Sequence, residues 1–282
     1  MSGATHAAEL RDVRGPTAFG GSPRRLLELL WMNAVIDFRL RYHGSALGYL
    51  WSLLRPLLLF GVLFVVFTQV FRLGAGVEAY PVLLLMNVML FSFFAESTGG
   101  AVRSIVSGDQ MVRRTRFPRV VIPLSVVLTA ALLLLTNLIA VLVFVLGYGI
   151  DPRPSWLLFP LVLIALFAFS ACAALLLSAL YVRYRDVEQI WTVISRALFY
   201  ATPVLYPIEL APPAMKSVIA LNPLVPMLEL ARIWVIDPNA PGLVASAGGL
   251  GVLFASIAIF VAVCVLGVVV FDRAARTIAE DI

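Results

Sequence analysis

Residues 120–147 read VVIPLSVVLTAALLLLTNLIAVLVFVLG, a run without a single charged side chain. About 20 mainly apolar residues at 1.5 Å per residue cross the roughly 30 Å hydrocarbon core of a bilayer. The run is therefore long enough to span, and too long and too apolar for the half-wet helix of a soluble core. Working outward, five further segments meet the same test: 47–71, 80–101, 156–181, 189–208 and 243–271. Composition agrees, with 61% hydrophobic and 13% charged residues among 282 and a mean hydropathy of +0.98. A soluble domain carries about 25% charged residues. Disorder needs low hydrophobicity and high net charge. The two cysteines, Cys172 and Cys264, each lie inside an apolar run and make no disulfide framework. The sequence predicts an all-α membrane protein with six transmembrane helices.

Arginine orients the bundle. Twenty of the 21 basic residues are arginine, and they cluster between the apolar runs. Arg11, Arg14, Arg24, Arg25, Arg39 and Arg41 precede the first span. Arg103, Arg113, Arg114, Arg116 and Arg119 follow the second, Arg183 and Arg185 the fourth, and Arg273 and Arg276 the sixth. Only Arg72, Arg153, Lys216 and Arg232 fall on the other side. The positive-inside rule then places both termini in the cytoplasm, which an even number of crossings satisfies. Charge so distributed reports topology, and no nucleic-acid partner is expected. The first span starts too far from Met1 for a cleavable signal peptide, so the N-terminus is expected to remain.

Two segments do not span. Residues 22–43 (SPRRLLELLWMNAVIDFRLRYH) set an apolar stripe of Leu26, Leu29, Leu30, Asn33, Ile36 and Leu40 against a charged face. Ser22 and Pro23 suit the N-cap and first helical position. This predicts an N-terminal amphipathic helix lying in the interface. The domain division is thus a flexible tail over 1–21, the interfacial helix over 22–43 and one six-span domain over 44–282. Between spans five and six, residues 209–242 contain Pro212, Pro213, Pro223, Pro226, Pro238 and Pro241. Their short apolar pieces predict external re-entrant helices. No internal repeat of the secondary-transporter kind is visible.

Catalytic and metal chemistry find little support. His6 and His43 both precede the first span, HExxH and CxxC are absent, and no metal site is expected. The phosphate-cradling GxxxxGK[ST] loop is missing too, so ATP and its magnesium would have to be bound by another chain. Arg55, Arg196 and Glu96 fall within spans, where charge is costly and faces water or a partner. They read either as a polar lining at the cytoplasmic mouth of a pathway or as a structural pair. Helical phase adds Tyr49 and Ser52 to Arg55 on the first span. On the fifth it gathers Glu188, Thr192, Ser195 and Phe199. Tyr49, Trp51, Tyr200 and Tyr206 suit stacking on sugar rings and equally suit the membrane interface.

Four stretches in order resemble one family. They are Arg39-Leu40-Arg41-Tyr42-His43-Gly44 running to Trp51 and Leu54-Arg55-Pro56, then Gly108-Asp109-Gln110 running to Phe117-Pro118-Arg119. Arg183-Tyr184-Arg185-Asp186-Val187 follows, and Thr202-Pro203-Val204-Leu205-Tyr206-Pro207 precedes Leu221-Asn222-Pro223-Leu224. Over residues 25–271 the chain resembles the membrane subunit of type-2 ABC exporters of cell-surface polysaccharides, including O-antigen, teichoic-acid, capsule and galactan permeases. One departure is Thr202, where the family pattern suggests serine. The resemblance implies a permease that is not itself an enzyme. It implies a homodimer in the bacterial plasma membrane carrying two copies of a nucleotide-binding subunit, with a lipid-linked glycan as substrate and membrane lipid around it. It implies ATPase coupling at Asp109, Gln110, Arg113, Arg114, Phe117, Pro118, Arg183, Arg185, Asp186 and Glu188. A gate helix would carry Arg24, Arg25, Trp31, Arg39 and Arg41. The first and fifth spans would line the channel, with Tyr49, Trp51, Ser52, Arg55, Glu96, Thr192, Ser195, Arg196, Phe199, Tyr200 and Tyr206 on the pathway. Other readings are a type-2 permease for small hydrophobic drugs or lipids, a membrane glycosyltransferase or ligase, and a structural scaffold. The ligase reading would need acidic residues at a catalytic spacing; the external Glu209 and Asp237 have no such partner.

Overall fold

A computed structural model describes residues 23–42, 48, 50–71, 77, 79–107 and 118–281. In chain order the helices are α1 (Pro23–Tyr42), α2 (Leu50–Val65), α3 (Tyr80–Val102), the single turn α4 (Ser104–Ser107) and α5 (Val121–Gly147). Then come α6 (Phe159–Arg183), α7 (Val187–Ala201), α8 (Pro213–Ala220), α9 (Leu224–Ala231), the turn α10 (Leu243–Ser246) and α11 (Leu250–Asp281). The described residues contain no strand. Only helices satisfy every backbone polar group inside an open-ended segment in hydrocarbon, so the result follows from the apolar runs.

Among the described residues five helical stretches are long and apolar enough to cross a membrane, Leu50–Val70, Tyr80–Val102, Val121–Gly147, Pro154–Arg183 and Leu250–Ala275, and a sixth if the bent pair Ala214–Ala220 and Leu224–Ile236 is one span. The central one is α3, whose apolar length is 78% buried within the subunit against 11% for Leu250–Ala275. Around it Phe91, Phe94, Val127, Leu166 and Phe169 form one continuous core. Against α6, α11 packs so closely that Gly267 leaves no room for a Cβ beside the Cys172 carbonyl. Small residues let spanning helices approach backbone to backbone.

The segment expected as the fifth crossing differs from the continuous helix predicted over 189–208. As a helix it ends at Ala201, with Thr202 extended at φ −86° and ψ 144°. Pro203 explains this: the residue before a proline is driven out of the α region, and proline offers no N–H. Fifteen helical residues cover only about 22 Å. The segment nonetheless runs antiparallel along the whole of α3. Glu188 pairs with Arg103 at one end, the Trp191 indole N–H donates to Thr98 Oγ1 at 3.2 Å, and Phe199 meets Phe91 at 5.2 Å between ring centres. Beyond the helix, Asn87 Nδ2 donates to the Pro203 carbonyl at 3.2 Å. The segment is thus a helix shorter than a full span, followed by a short irregular stretch whose carbonyls receive side-chain donors, as buried backbone requires.

The proline-rich stretch forms a bent pair of helical arms, a hairpin that has the form of either a re-entrant loop or a broken span. Its two arms, Ala214–Ala220 and Leu224–Ile236, meet at 97°. At the tip, Asn222 Nδ2 donates to Thr202 Oγ1 at 2.7 Å and its Oδ1 accepts the Leu224 N–H at 3.1 Å. At the other end, buried Arg232 donates to both Glu209 oxygens at 3.0 and 2.9 Å. It also lies 3.6 Å from Glu229 and 3.7 Å from Asp237.

One side of α1 packs on the bundle. Its buried side chains are Leu30 and Ala34, the latter's carbonyl accepting from Thr129 of α5 at 3.3 Å. Ile36 and Leu40, on the apolar stripe of the sequence pattern, point outward with Leu27, Trp31 and Met32. The helix therefore has two apolar sides, one against protein and one facing out.

Candidate transport cavity

At the arginine-rich end of the bundle, α2, α3 and α5 enclose a cavity of about 510 Å³. Trp51, Ser52 and Arg55 enter it from α2, Ser92 and Glu96 from α3, and Asn137 from α5. Arg55 lies one turn and a half from the start of α2, and Glu96 about two turns from the end of α3. Antiparallel helices so matched bring both charges to one depth. Pro56 sits inside α2 on the cavity wall and offers no N–H to the Ser52 carbonyl. Asn137 Oδ1 is buried without a hydrogen-bond partner. Two charges, two hydroxyls and an amide share this space with Trp51, Pro56, Leu59 and Leu133, which makes it a partly polar chamber among helices that otherwise face hydrocarbon.

The structure thus brings together four predicted pathway residues, Trp51, Ser52, Arg55 and Glu96, and adds Ser92 and Asn137. Those two were missed because a lone serine or asparagine in a span gives no periodic signal. Tyr49 lies outside the described residues. The α7 set does not line this cavity. No side chain of α7 is fully buried; Thr192 and Arg196 are exposed, and Tyr200 is 65% exposed. Thr192 Oγ1 donates back to the Glu188 carbonyl at 2.8 Å. Ser195 and Phe199 are half-buried. Tyr206 lies near the hairpin, where with Leu210 and Met215 it lines a pocket of about 260 Å³.

Of the residues assigned to coupling, Asp109, Gln110, Arg113, Arg114 and Phe117 lie outside the described residues, while Pro118 is buried at the foot of α5. Arg183 and Arg185 flank the α6–α7 turn, their guanidinium groups over the rings of Tyr184 (5.6 Å) and Tyr181 (5.1 Å). Asp186 is exposed just before α7. Glu188 pairs with Arg103, a residue the sequence placed only as a topology marker. A hydrogen bond from Arg103, reinforced by its charge, holds the Glu188 carboxyl below its ordinary range, and the same contact raises Arg103. Next to Pro118, the buried Arg119 donates to the Ala275 carbonyl of α11. A second core of Leu30, Ile105, Val121, Ala179 and Phe271 packs α1, α4, α5, α6 and α11 together at this end. On α1, Arg24, Arg25 and Arg39 are exposed and Trp31 is 56% exposed; the Arg41 side chain lies outside the description. Among the described residues no cluster of His, Cys, Asp or Glu has metal-binding form.

A partly polar chamber inside a bundle of helices long enough to cross a membrane defines a multi-pass membrane protein. The family model for ABC-2 type transporters matches residues 28–236, and the chain belongs to that family. A relative from Klebsiella pneumoniae, described as O-antigen export system permease protein RfbA, is 33% identical over 72% of this chain and 78% of its own length. A Myxococcus xanthus protein of the same description is 32% identical over 68% of this chain and 74% of its own. The polysialic acid transport protein KpsM of Escherichia coli is 23% identical over 70% and 76%. As a member of an ABC-2 family the chain is a permease component.

Proposed function

We propose that this chain is the transmembrane subunit of an ATP-driven exporter that moves a lipid-linked polysaccharide of O-antigen, teichoic-acid or galactan type from the cytoplasm across a bacterial plasma membrane. Two copies form the pathway, and a separate nucleotide-binding subunit on each carries ATP and magnesium. Both termini are cytoplasmic. The supporting observation is the chamber of Ser52, Arg55, Ser92, Glu96 and Asn137, which offers hydrogen-bond donors and acceptors with aromatic Trp51 at its wall. Sugar chains are held by such groups together with ring stacking. Relatives named for O-antigen export point to the same cargo.

In this reading, closure of the ATPase dimer acts by differential affinity for two states of the permease. It pushes on the segment 108–117 and on the α6–α7 turn. The Arg103–Glu188 pair and the Arg119–Ala275 contact pass the displacement to α3, α7 and α11. The outward faces of α2 and α7, with Arg196 and Tyr200, meet the second copy and the moving glycan. The test is purification of the tagged chain in mild detergent with identification of what accompanies it, alongside glycan display in a deletion strain. A stoichiometric P-loop partner and loss of surface polysaccharide are expected. A homo-oligomer lacking any ATPase under crosslinking, or unchanged surface glycan, would overturn the proposal.

A further inference from the structure

A second cavity, of about 380 Å³, lies beneath the tip of the hairpin between α3, α6, α7 and α11. Its walls include Phe94, Phe169, Trp191, Leu198, Ile259 and Val263, and its roof is the Leu221–Leu224 tip. Three polar side-chain atoms reach this lining, and each is already engaged. The Asn222 amide donates to Thr202 and its oxygen accepts from the Leu224 backbone. The Trp191 indole N–H donates to Thr98. What remains for an occupant is carbon. A cavity of that character takes up neither water nor sugar, and left empty its walls forfeit dispersion contacts. Its rim reaches the outside of the bundle, where Ile259 is 39% exposed and Leu221 36%. From Ile259 an apolar surface continues along the same side of α11 through Ala262, Leu266 and Val269, all exposed. Around a spanning helix that surface is bathed in lipid.

We propose that this cavity is a binding site for one hydrocarbon chain of a bilayer phospholipid, which enters between α7 and α11 and fills the space under the hairpin. Abundance commits the site to the bulk lipid: whatever chain reaches the rim from the surrounding bilayer occupies it. The chain supports Asn222 and Pro223 from below, so the height of the hairpin tip depends on a lipid as well as on Thr202. The inference needs only the membrane embedding and does not depend on the nature of the cargo.

Trp191 supplies a reporter, because bromine on an acyl chain quenches an indole only on contact. The full-length chain is reconstituted in phosphatidylcholine vesicles with or without bromine at mid-chain. The Trp191 share of the emission is obtained by difference from Trp191→Phe. Most of that share is expected to disappear in brominated vesicles and to return when the cavity is filled by Ala173→Leu with Val263→Phe. An equal Trp191 share in both kinds of vesicle, or quenching unchanged by the filling substitutions, would overturn the proposal. Since a doubly filled core can fail to pack, Ala173→Leu alone is the second variant. For it, native mass spectrometry of the detergent-purified chain counts retained phospholipid. Loss of one bound phospholipid relative to wild type supports the site, and an unchanged count rejects it.

Discussion

The Tyr80 hydroxyl donates to the carbonyl oxygen of Leu205 at 2.7 Å, a buried bond between residues 125 positions apart. It ties the first turn of α3 to the irregular stretch after α7, where the helix has stopped and free carbonyls would otherwise be buried unpaired. Leaving a buried acceptor unpaired costs about 1–3 kcal/mol. Tyr80→Phe, which keeps the ring and removes the donor, should therefore lower stability by about that amount. Asn87→Leu should do the same through Pro203. Thermal unfolding of the purified protein in detergent measures both, and wild-type midpoints would show the carbonyls to be satisfied otherwise.

At the opposite end of the same helix pair, the Arg103–Glu188 contact is electrostatic and solvent-facing. A carboxyl whose folded pKa is depressed contributes stability above its unfolded value of about 4.3 and loses it as pH falls through the lower, folded value. The contact should accordingly be insensitive to pH between about 6 and 8 and weaken in salt. Arg103→Glu should impair function, and Arg103→Glu combined with Glu188→Arg should recover it. Failure of the double exchange to recover more than either single change would remove the pair from the coupling path.

Arg55 tests the chamber itself. It lies in the cavity and forms no part of the main apolar core, so Arg55→Ala should leave the amount of membrane-inserted protein unchanged. Export of surface glycan should fall about tenfold, equivalent to about 1.4 kcal/mol of lost interaction with the moving chain. Arg55→Lys should restore part of it. Full export by Arg55→Ala, measured by surface glycan display at matched protein levels, would take Arg55 off the pathway.

Gly267 faces the Cys172 carbonyl with no space between. Gly267→Ala forces α6 and α11 apart, and overpacking of this kind costs about 1–3 kcal/mol. The expected readout is a lower midpoint of thermal unfolding. Gly251, with nothing near its missing Cβ, is the control: Gly251→Ala should be neutral or slightly stabilising.

How much of this was legible in the sequence varies with the physics of each element. Long charge-free runs such as 120–147 announce themselves, because a helix in hydrocarbon needs only length and apolarity. The hairpin was readable from Pro212, Pro213 and Pro223, whose effects are local. The end of α7 was not found, although Pro203 marks it, because the apolar stretch continues past the proline and hydropathy ignores backbone donors. The packing of Leu30 and Ala34 against α5 was not legible, because a stripe pattern does not say which side of an interfacial helix meets protein. Arg55 and Glu96 were suspected from depth alone, whereas Ser92 and Asn137 joined them only through tertiary packing. Arg103 looked like one basic residue among many until α7 folded back along α3.

The backbone contact at Gly267 also says which parts of the subunit move as one. Two helices that touch main chain to main chain form a stiff two-ply board, and α3 with its buried length is glued to the same board through Phe94 and Phe169. The piece held by less is α7, with no fully buried side chain. Mechanically the subunit is a stiff frame carrying one looser slat.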